Sequence, residues 1–292
     1  MRGADVVHTH LFPTQYWAAL ANSIGGKCVL VTTEHSTSNT RAQHWLTSQL
    51  DTCIYGLYDG VICISEAVAH FMRKRTPHHV EIRCIDNGVV LPSVDALVEA
   101  KRSEVVDGLT DADFVMLQVA RFSDQKNQDC VIRSLKLLPD NVHAVFAGYG
   151  VRLDACKHLA ESLGVSTRTH FLGMRSDIAR LWSIADIGVM SSHWEGFGLA
   201  AVEGMAYAKP VIASDVPGLA DVVKFDRLLF APDNEQALAN SVMRLYADTT
   251  ERRRMGEVCW QRAQQYDINK MVDSYIEFYD ELLNKKGKQT KR

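Results

Sequence analysis

Short apolar, β-branched runs alternate with longer amphipathic stretches along most of the chain. ADVVHTH, KCVLVTTEH, GVICIS and EIRCIDNG read as buried strands, and between them 13–23, 41–57 and 66–74 read as helices. Continuous apolar runs of this length suit strands covered on both faces, as in a parallel sheet flanked by helices. The alternation pauses at VVLPSVDALVEAKRSEVVDGLTDAD, a polar stretch that follows Asn87-Gly88 and contains Pro92 and Gly108. It predicts a connection with a short helix and a domain boundary near residue 107. A second series then predicts strands at DFVMLQVA, VHAVFAG, THFLG, DIGVMSS and KPVIAS. Helices fall over 128–138, 152–163, 177–183 and 199–208, and a turn at Pro217-Gly218. From 234 to 283 the pattern is mostly helical, with turns near Asp248 and Tyr266. The expected class is α/β: two Rossmann-like domains over 1–107 and 108–267, then a helix and basic tail over 268–292.

The first domain looks short. Four residues precede Asp5, and the chain opens directly on a strand. Roughly one to three further βα units, about 60–90 residues, are expected ahead of it.

Composition narrows the class. The chain has 292 residues, 47% apolar and 23% charged, as expected of a soluble globular protein with one or two cores. A net charge of −3 predicts no general attraction to nucleic acid. The seven cysteines show no CxxC spacing, and several lie in runs such as VICIS. That pattern favours buried free thiols in a reducing compartment over disulfides or zinc. No apolar run reaches the roughly 18 residues of a membrane span, and MRGADVVHTH carries no signal-peptide h-region. The tail NKKGKQTKR is basic, suited to a solvated end or a weak contact with an anionic membrane surface.

In open α/β sheets ligands bind beyond the carboxyl ends of the strands, so the chemistry is sought in those loops. SSHWEGFGLAAVEGMAYAKPVIAS begins at the end of one strand. Its helix starts near Gly198, because Leu199, Val202 and Ala206 share a face, and Lys209-Pro210 stops it. Gly196 and Gly198 let the backbone approach a ligand, and the free amides of the first turn suit an anion. Glu195 ahead of the helix and Glu203 about one and a half turns in can each accept hydrogen bonds from vicinal hydroxyls. An acid before a helix N-terminus also simply complements the dipole, and spacing alone leaves both readings open.

In VARFSDQKNQD, Arg121 and Lys126 flank a turn. They can neutralise a diphosphate and the charge on a leaving group, or form a solvated basic loop. AGYG, with Gly148 and Gly150, lacks the third glycine and the acidic residue of a dinucleotide fingerprint. A tight strand-to-helix turn is the better reading, which also speaks against an NAD-type dehydrogenase. His8 and His10 share one side of a strand; an HxH pair can bind metal, but no third ligand is evident and none is expected here. His35 ends the next strand, placed to bond a substrate, move a proton, or cap the Ser/Thr-rich turn after it.

Together these residues resemble the glycosyltransferase family 4 (group 1) enzymes, which are retaining and have the GT-B fold. The resemblance runs from DVVHTH to YDINKMVDSYIEFYDELL. Its most specific part is Glu195 and Glu203 within HWEGFGLAAVEGMAYAKPVIAS, similar to the E-x7-E signature. The order of RFSDQK, the glycine turn and FLGMRSDIARLWSIADIGVMSS is also the family's, and ISEAV and DNGV look like its late N-domain markers. The resemblance implies two Rossmann-like domains with parallel sheets facing a central cleft, the first on the acceptor side. Glu203 would hold the ribose of a UDP- or GDP-linked sugar, and Glu195 the hydroxyls of the transferred sugar. The amides of Gly196, Phe197, Gly198 and Leu199 would face the diphosphate and sugar, while Arg121 and Lys126 would stabilise the departing diphosphate. His35 would stand at the reaction centre. These cations and amides would replace a metal cofactor. The last helix, 268–283, would cross back onto the first domain, and domain closure would assemble the site.

By the same resemblance the acceptor is a carbohydrate or a lipid-linked hydroxyl in polysaccharide or glycolipid synthesis. The protein is then expected in the cytoplasm, in peripheral contact with the inner membrane face. Two departures stand out. The family's first strand and glycine-rich loop have no counterpart, which leaves an alternative: a truncated relative that holds the nucleotide sugar without transferring it. FDRLLFAPDN lacks the glycine that often precedes its apolar pair. A glycosidase using Glu195 and Glu203 as acid and base fits less well, because helix amides and paired cations suit phosphates.

Overall fold

The first four apolar runs pair side by side. β1 (Val6–His10), β2 (Val29–Glu34), β3 (Gly60–Cys63) and β4 (Glu81–Cys84) form a parallel sheet in that order. They are joined by α1 (Thr14–Gly25), α2 (Trp45–Tyr55) and α3 (Glu66–Arg73). Helical crossovers cover a parallel sheet, so β3 is buried throughout and β2 over all but its last residue. The stretch ISEAV starts α3: the Ser65 hydroxyl accepts from the Val68 amide, and Glu66 sits in the first turn, where it complements the dipole.

The C-terminal helix (Ile268–Gln289) lies against this sheet. Met271, Tyr275, Phe278, Tyr279, Leu282 and Leu283 recur at three- and four-residue spacing and meet Val6, Val29, Val31, Ile62 and Ile85. Gly60 allows the close approach, since a Cβ there would lie 2.7 Å from Phe278 Cζ. Lys286 ends the packed face on Asp59, which also accepts from the Leu30 amide at 2.8 Å.

This computed structural model describes residues 3–25, 28–36, 45–93 and 100–289. The chain divides into two units, Met1–Gly88 with Ile268–Arg292, and Val89–Asp267. The division comes earlier than the sequence boundary at 107, because the connecting stretch packs onto the second unit. Its short helix α4 (Arg102–Val105) is held by Arg102, which donates to the Ile184 carbonyl at 3.2 Å and pairs with Asp186 at 2.8 Å. Val105, Val106 and Leu109 are buried beside it.

The second unit continues through β5 (Phe114–Val119), α5 (Gln128–Ser134), β6 (Val142–Ala147), α6 (Leu153–Ser162), β7 (Thr169–Phe171) and α7 (Ile178–Ile184). It then returns through β8 (Ile187–Met190), α8 (Leu199–Ala206), β9 (Val211–Ser214), α9 (Leu219–Val223) and β10 (Leu229–Phe230). Two longer helices, α10 (Glu235–Ala247) and α11 (Thr249–Ala263), complete it. The six parallel strands run in the order β10-β9-β8-β5-β6-β7. The chain moves outward from β5 to β7, crosses back to β8, and moves outward the other way. The switch point therefore lies between β5 and β8, the place where open α/β sheets bind ligands beyond the carboxyl ends.

Some elements differ from the sequence reading. Residues 41–44 of the expected 41–57 helix lie outside the described residues. The 128–138 helix ends at Ser134 and tightens into a 3₁₀ turn at Leu135–Leu137. The turn at Pro217-Gly218 opens α9, and Leu229–Phe230 adds an edge strand. Two residues are too few to show a periodicity.

The cysteines are all free; five are buried, Cys84 is half-buried, and Cys53 is exposed on α2, against expectation. Burial pushes the Cys63, Cys84, Cys130 and Cys156 thiols up to about 12, which keeps them as unreactive thiols. Among the described residues no helix is long and apolar enough to cross a membrane.

Candidate functional site

The loops after β5 and β8 meet at the switch point of the second unit, and polar bonds join them. Ser191 is fully buried and donates to the carbonyls of Lys126 (3.0 Å) and Asn127 (2.8 Å). Gln118, on β5, donates to the same Lys126 carbonyl and to Ser191. The His193 amide donates to the Gln125 carbonyl at 2.8 Å, and Gln125 returns a bond to the Trp194 carbonyl at 2.9 Å. The His193 ring spans Asp124 O and the Asp233 carboxylate, each at 2.7 Å, and Asn127 donates to Asp233 as well. Asn127 takes a left-handed conformation (φ 47°), a cost that asparagine tolerates and that aims its amide at Asp233.

On this frame Lys126 and Glu195 pair directly, with side chains 24% and 12% exposed. Ser192 donates to the same Glu195 oxygen at 3.0 Å. Glu195 is thus an acceptor held between a cation and a hydroxyl, at the mouth of α8. The helix begins at Leu199 after Gly198 (φ 96°), with no acidic residue in its first turn and no side-chain cap. A Cβ on Gly198 would lie 2.5 Å from Leu219 Cδ2, and one on Gly218 2.6 Å from the Glu195 carbonyl oxygen. The glycines therefore serve both backbone conformation and close packing of α9 on the loop. Phe197 is buried and turns its ring inward, so only its backbone faces outward chemistry; Leu199 is exposed. Glu203 is partly buried on α8, and among the described residues no donor meets its carboxylate. Burial raises its pKa above the usual carboxylate value.

Arg121 and Lys126 take different neighbours. Lys126 is drawn to Glu195, whereas Arg121 lines a cavity of about 430 Å³ with Val119, Gly148, Tyr149, Met174 and Arg175. Arg175 is fixed there by a two-pronged pair with Asp177 (2.7 and 2.6 Å), which lowers the Asp177 pKa to about 2. Gly148 and Gly150 act as a tight turn. A Cβ at either would come within about 2 Å of the Ala120 or Phe122 carbonyl oxygen.

His35 belongs to the first unit. Its Nε2 lies 3.1 Å from His10 Nδ1, and His10 stacks on His8 at 4.4 Å. His8 has both nitrogens engaged, by the Tyr279 hydroxyl (2.6 Å) and the Thr33 hydroxyl (2.8 Å). Among the described residues no group of three or more His, Cys, Asp or Glu is placed to hold a metal ion. The Ser/Thr-rich turn offered to His35 as a capping partner includes residues 37–40, outside the described residues.

Burial, then His10 and His35, lowers the His8 pKa to about 4; burial also lowers those of His10 and His35. A histidine depressed in the fold binds its proton more readily when unfolded. Its contribution is therefore whole above the unfolded value near 6.5 and drains away as pH falls toward 4. For His8 this amounts to roughly 3 kcal/mol at full effect. Thermal unfolding should show a lower melting temperature at pH 5 than at pH 7.5, and His8→Gln should flatten that dependence. A melting temperature steady over this interval would contradict the neutral, half-buried imidazole.

Sequence reasoning missed His193, Asp233, Asn127 and Ser192. Each is an ordinary loop polar residue until the topology sets the two loops together.

Comparison with known proteins gives the same outline. Residues 101–259 match the family model for Glycosyl transferases group 1, and residues 1–91 that for Glycosyltransferase Family 4. The putative glycosyltransferase EpsD of Bacillus subtilis is 29% identical over 197 residues, covering 66% of this chain and 52% of EpsD. The UDP-Gal:alpha-D-GlcNAc-diphosphoundecaprenol alpha-1,3-galactosyltransferase of Escherichia coli is 27% identical over 305 residues, covering 96% of this chain and 76% of that protein. The region matched to EpsD thus spans about half of EpsD's length. Among solved structures, Anabaena Alr3699/HepE in complex with UDP and glucose superposes with a TM-score of 0.82 at 23% identity, over 94% of this chain and 77% of that one. That likeness establishes the fold, which is GT-B.

Proposed function

The chain belongs to the group 1 glycosyl transferases, and from that premise we propose that it transfers a sugar, with retention, from a nucleotide diphosphate sugar to a hydroxyl acceptor. The observation that carries this reading is the half-buried Glu203, which no donor meets among the described residues, beside an uncapped helix start whose loop holds Glu195 in its pair with Lys126. A carboxylate left without donors in a low-dielectric site suits a ligand that brings them, and vicinal ribose hydroxyls do so. Glu195, already polarised by Lys126, accepts from hydroxyls of the transferred sugar. As the bond to the anomeric carbon breaks, charge builds on the diphosphate, and Lys126, Arg121 and the amides of Gly196 to Leu199 stabilise it. No metal is assigned a part. His35, in the first unit, is given the role of a histidine that bonds substrate or moves a proton.

The relatives suggest the reactants. The Escherichia coli protein is named for a UDP-galactose donor and a diphosphoundecaprenol-linked acceptor, and the Anabaena structure holds UDP and glucose. A uridine or guanosine diphosphate sugar and a carbohydrate or lipid-linked hydroxyl are the corresponding proposals here, in the cytoplasm at a membrane face. Supporting the membrane contact, α1 and the turn before it expose Phe12, Trp17 (69%) and Ile24 (87%).

Isothermal titration with UDP- and GDP-linked sugars, alongside transfer to a lipid-linked acceptor, tests the reading. Binding with product is expected, and the product's anomeric configuration by NMR should match the donor's. Binding without product would leave a nucleotide-sugar-binding relative, and an inverted product would refute retention.

A further inference from the structure

The loop bearing Glu195 is held from its buried side. Phe197 lies in this loop, yet it is only 4% exposed. Its ring meets that of Tyr266 edge-on, with centroids 5.3 Å apart and planes at 90°. Tyr266 is equally buried. The Arg262 guanidinium lies over its ring, 5.0 Å from the centroid, and donates to its hydroxyl. The same guanidinium donates to the carbonyls of Asp221 (2.8 Å) and Val222 (3.1 Å) on α9. That helix packs on the loop through Leu219 against Gly198 and through Gly218 against the Glu195 carbonyl. The loop is therefore gripped twice, by α9 and by Tyr266, and Arg262 ties the two grips together. The Tyr266 carbonyl also accepts from the Val89 amide at 2.8 Å, and Val89 bridges Asp267. Tyr266 is thus anchored where the chain enters and leaves the second unit, through residues that belong to that unit.

We infer that Tyr266, braced by Arg262, is a positioning residue for the donor site: it fixes the 195–199 loop by clamping Phe197, without touching the ligand. The donor role of this loop rests on the function proposed above, while the clamp itself does not. Edge-on aromatic pairs favour one geometry over a merely apolar contact, so the ring matters beyond its bulk. A leucine at 266 fills part of the space but cannot hold Phe197 in register.

The test reads the loop and the ligand separately. Amide hydrogen exchange at residues 196–198 in the 292-residue protein without ligand should speed up by about tenfold in Tyr266→Leu. Tyr266→Phe, which keeps the ring and loses the hydroxyl that Arg262 bonds, should stay within about twofold of the parent. The Kd for UDP, or for GDP if that is the nucleotide held, should rise about tenfold in Tyr266→Leu and in Phe197→Leu. The double variant should be no more than about twofold weaker than the worse single, because both break one contact. Arg262→Gln, which leaves both rings in place, guards against a leucine variant that fails to fold and should give an intermediate rise in exchange. Unchanged exchange in Tyr266→Leu and Arg262→Gln overturns the proposal, as does a phenylalanine variant as loose as leucine or fully additive losses in the double variant. If the parent binds neither nucleotide while exchange rises as expected, the clamp stands and the donor reading falls.

Discussion

Lys126→Ala is expected to lower sugar transfer by about 100- to 1,000-fold, the usual effect of removing one preorganised group that faces charge growing on a leaving oxygen. Two losses combine in this variant. The cation that would face the diphosphate disappears, and Glu195, only 12% exposed, loses that cation and retains, among the described residues, the bond from Ser192. An uncompensated, half-buried carboxylate beside a diphosphate repels it, so donor affinity should fall with turnover. The same vacancy costs stability, by about 1–3 kcal/mol after allowing for the partial exposure of the pair. The second variant Lys126→Ala with Glu195→Gln separates the effects. Melting temperature should recover, because no charge is left unpaired, whereas transfer should stay low. Transfer at parental rates in Lys126→Ala, measured with the protein saturated in donor, would remove Lys126 from the mechanism.

Glu203→Gln should divide stability from function. Burial raises the Glu203 pKa, so the fold favours its neutral form. Such a group contributes stability at acid pH, below its unfolded pKa, and that contribution is lost as pH rises through the folded pKa. Wherever the side chain ionises, its burial is therefore a cost, and above that pH a neutral amide of the same shape should melt higher. Nucleotide affinity should fall about 10- to 100-fold, the worth of one or two hydrogen bonds to a charged acceptor. In the parent, binding should also weaken on acidification, because a protonated Glu203 accepts less well. Calorimetric titration at two pH values and a melting curve for each protein measure all three. A glutamine variant that binds nucleotide as tightly as the parent would detach Glu203 from the ribose.

Both predictions depend on residues readable in the chain and on a placement that was not. Glu203 and Glu195 stand out locally, since the strand end, the two glycines and the apolar face starting at Leu199 all lie in one run. Lys126 and Arg121 look alike in sequence, as two cations around one turn. In the structure one pairs with Glu195 and the other lines a cavity with Arg175. Which goes where depends on the 3₁₀ turn at Asp124–Lys126 and the left-handed Asn127, tertiary details with no periodic signature.

By itself the sequence determined the α/β class, nearly every strand and the longer helices. Their apolar periods are local properties, set by which face of each element must be dry. It also singled out the carboxylates and glycines of the 195–203 stretch. Only the tertiary structure decided that β8 returns beside β5, which brings Lys126 to Glu195 across 69 positions of chain. It alone attached Val89 and residues 100–107 to the second unit, turned Phe197 inward onto Tyr266, and left Glu203 without a partner among the described residues. Those outcomes depend on which distant surfaces meet and which polar groups they leave unmatched, and no local pattern of residues carries that information.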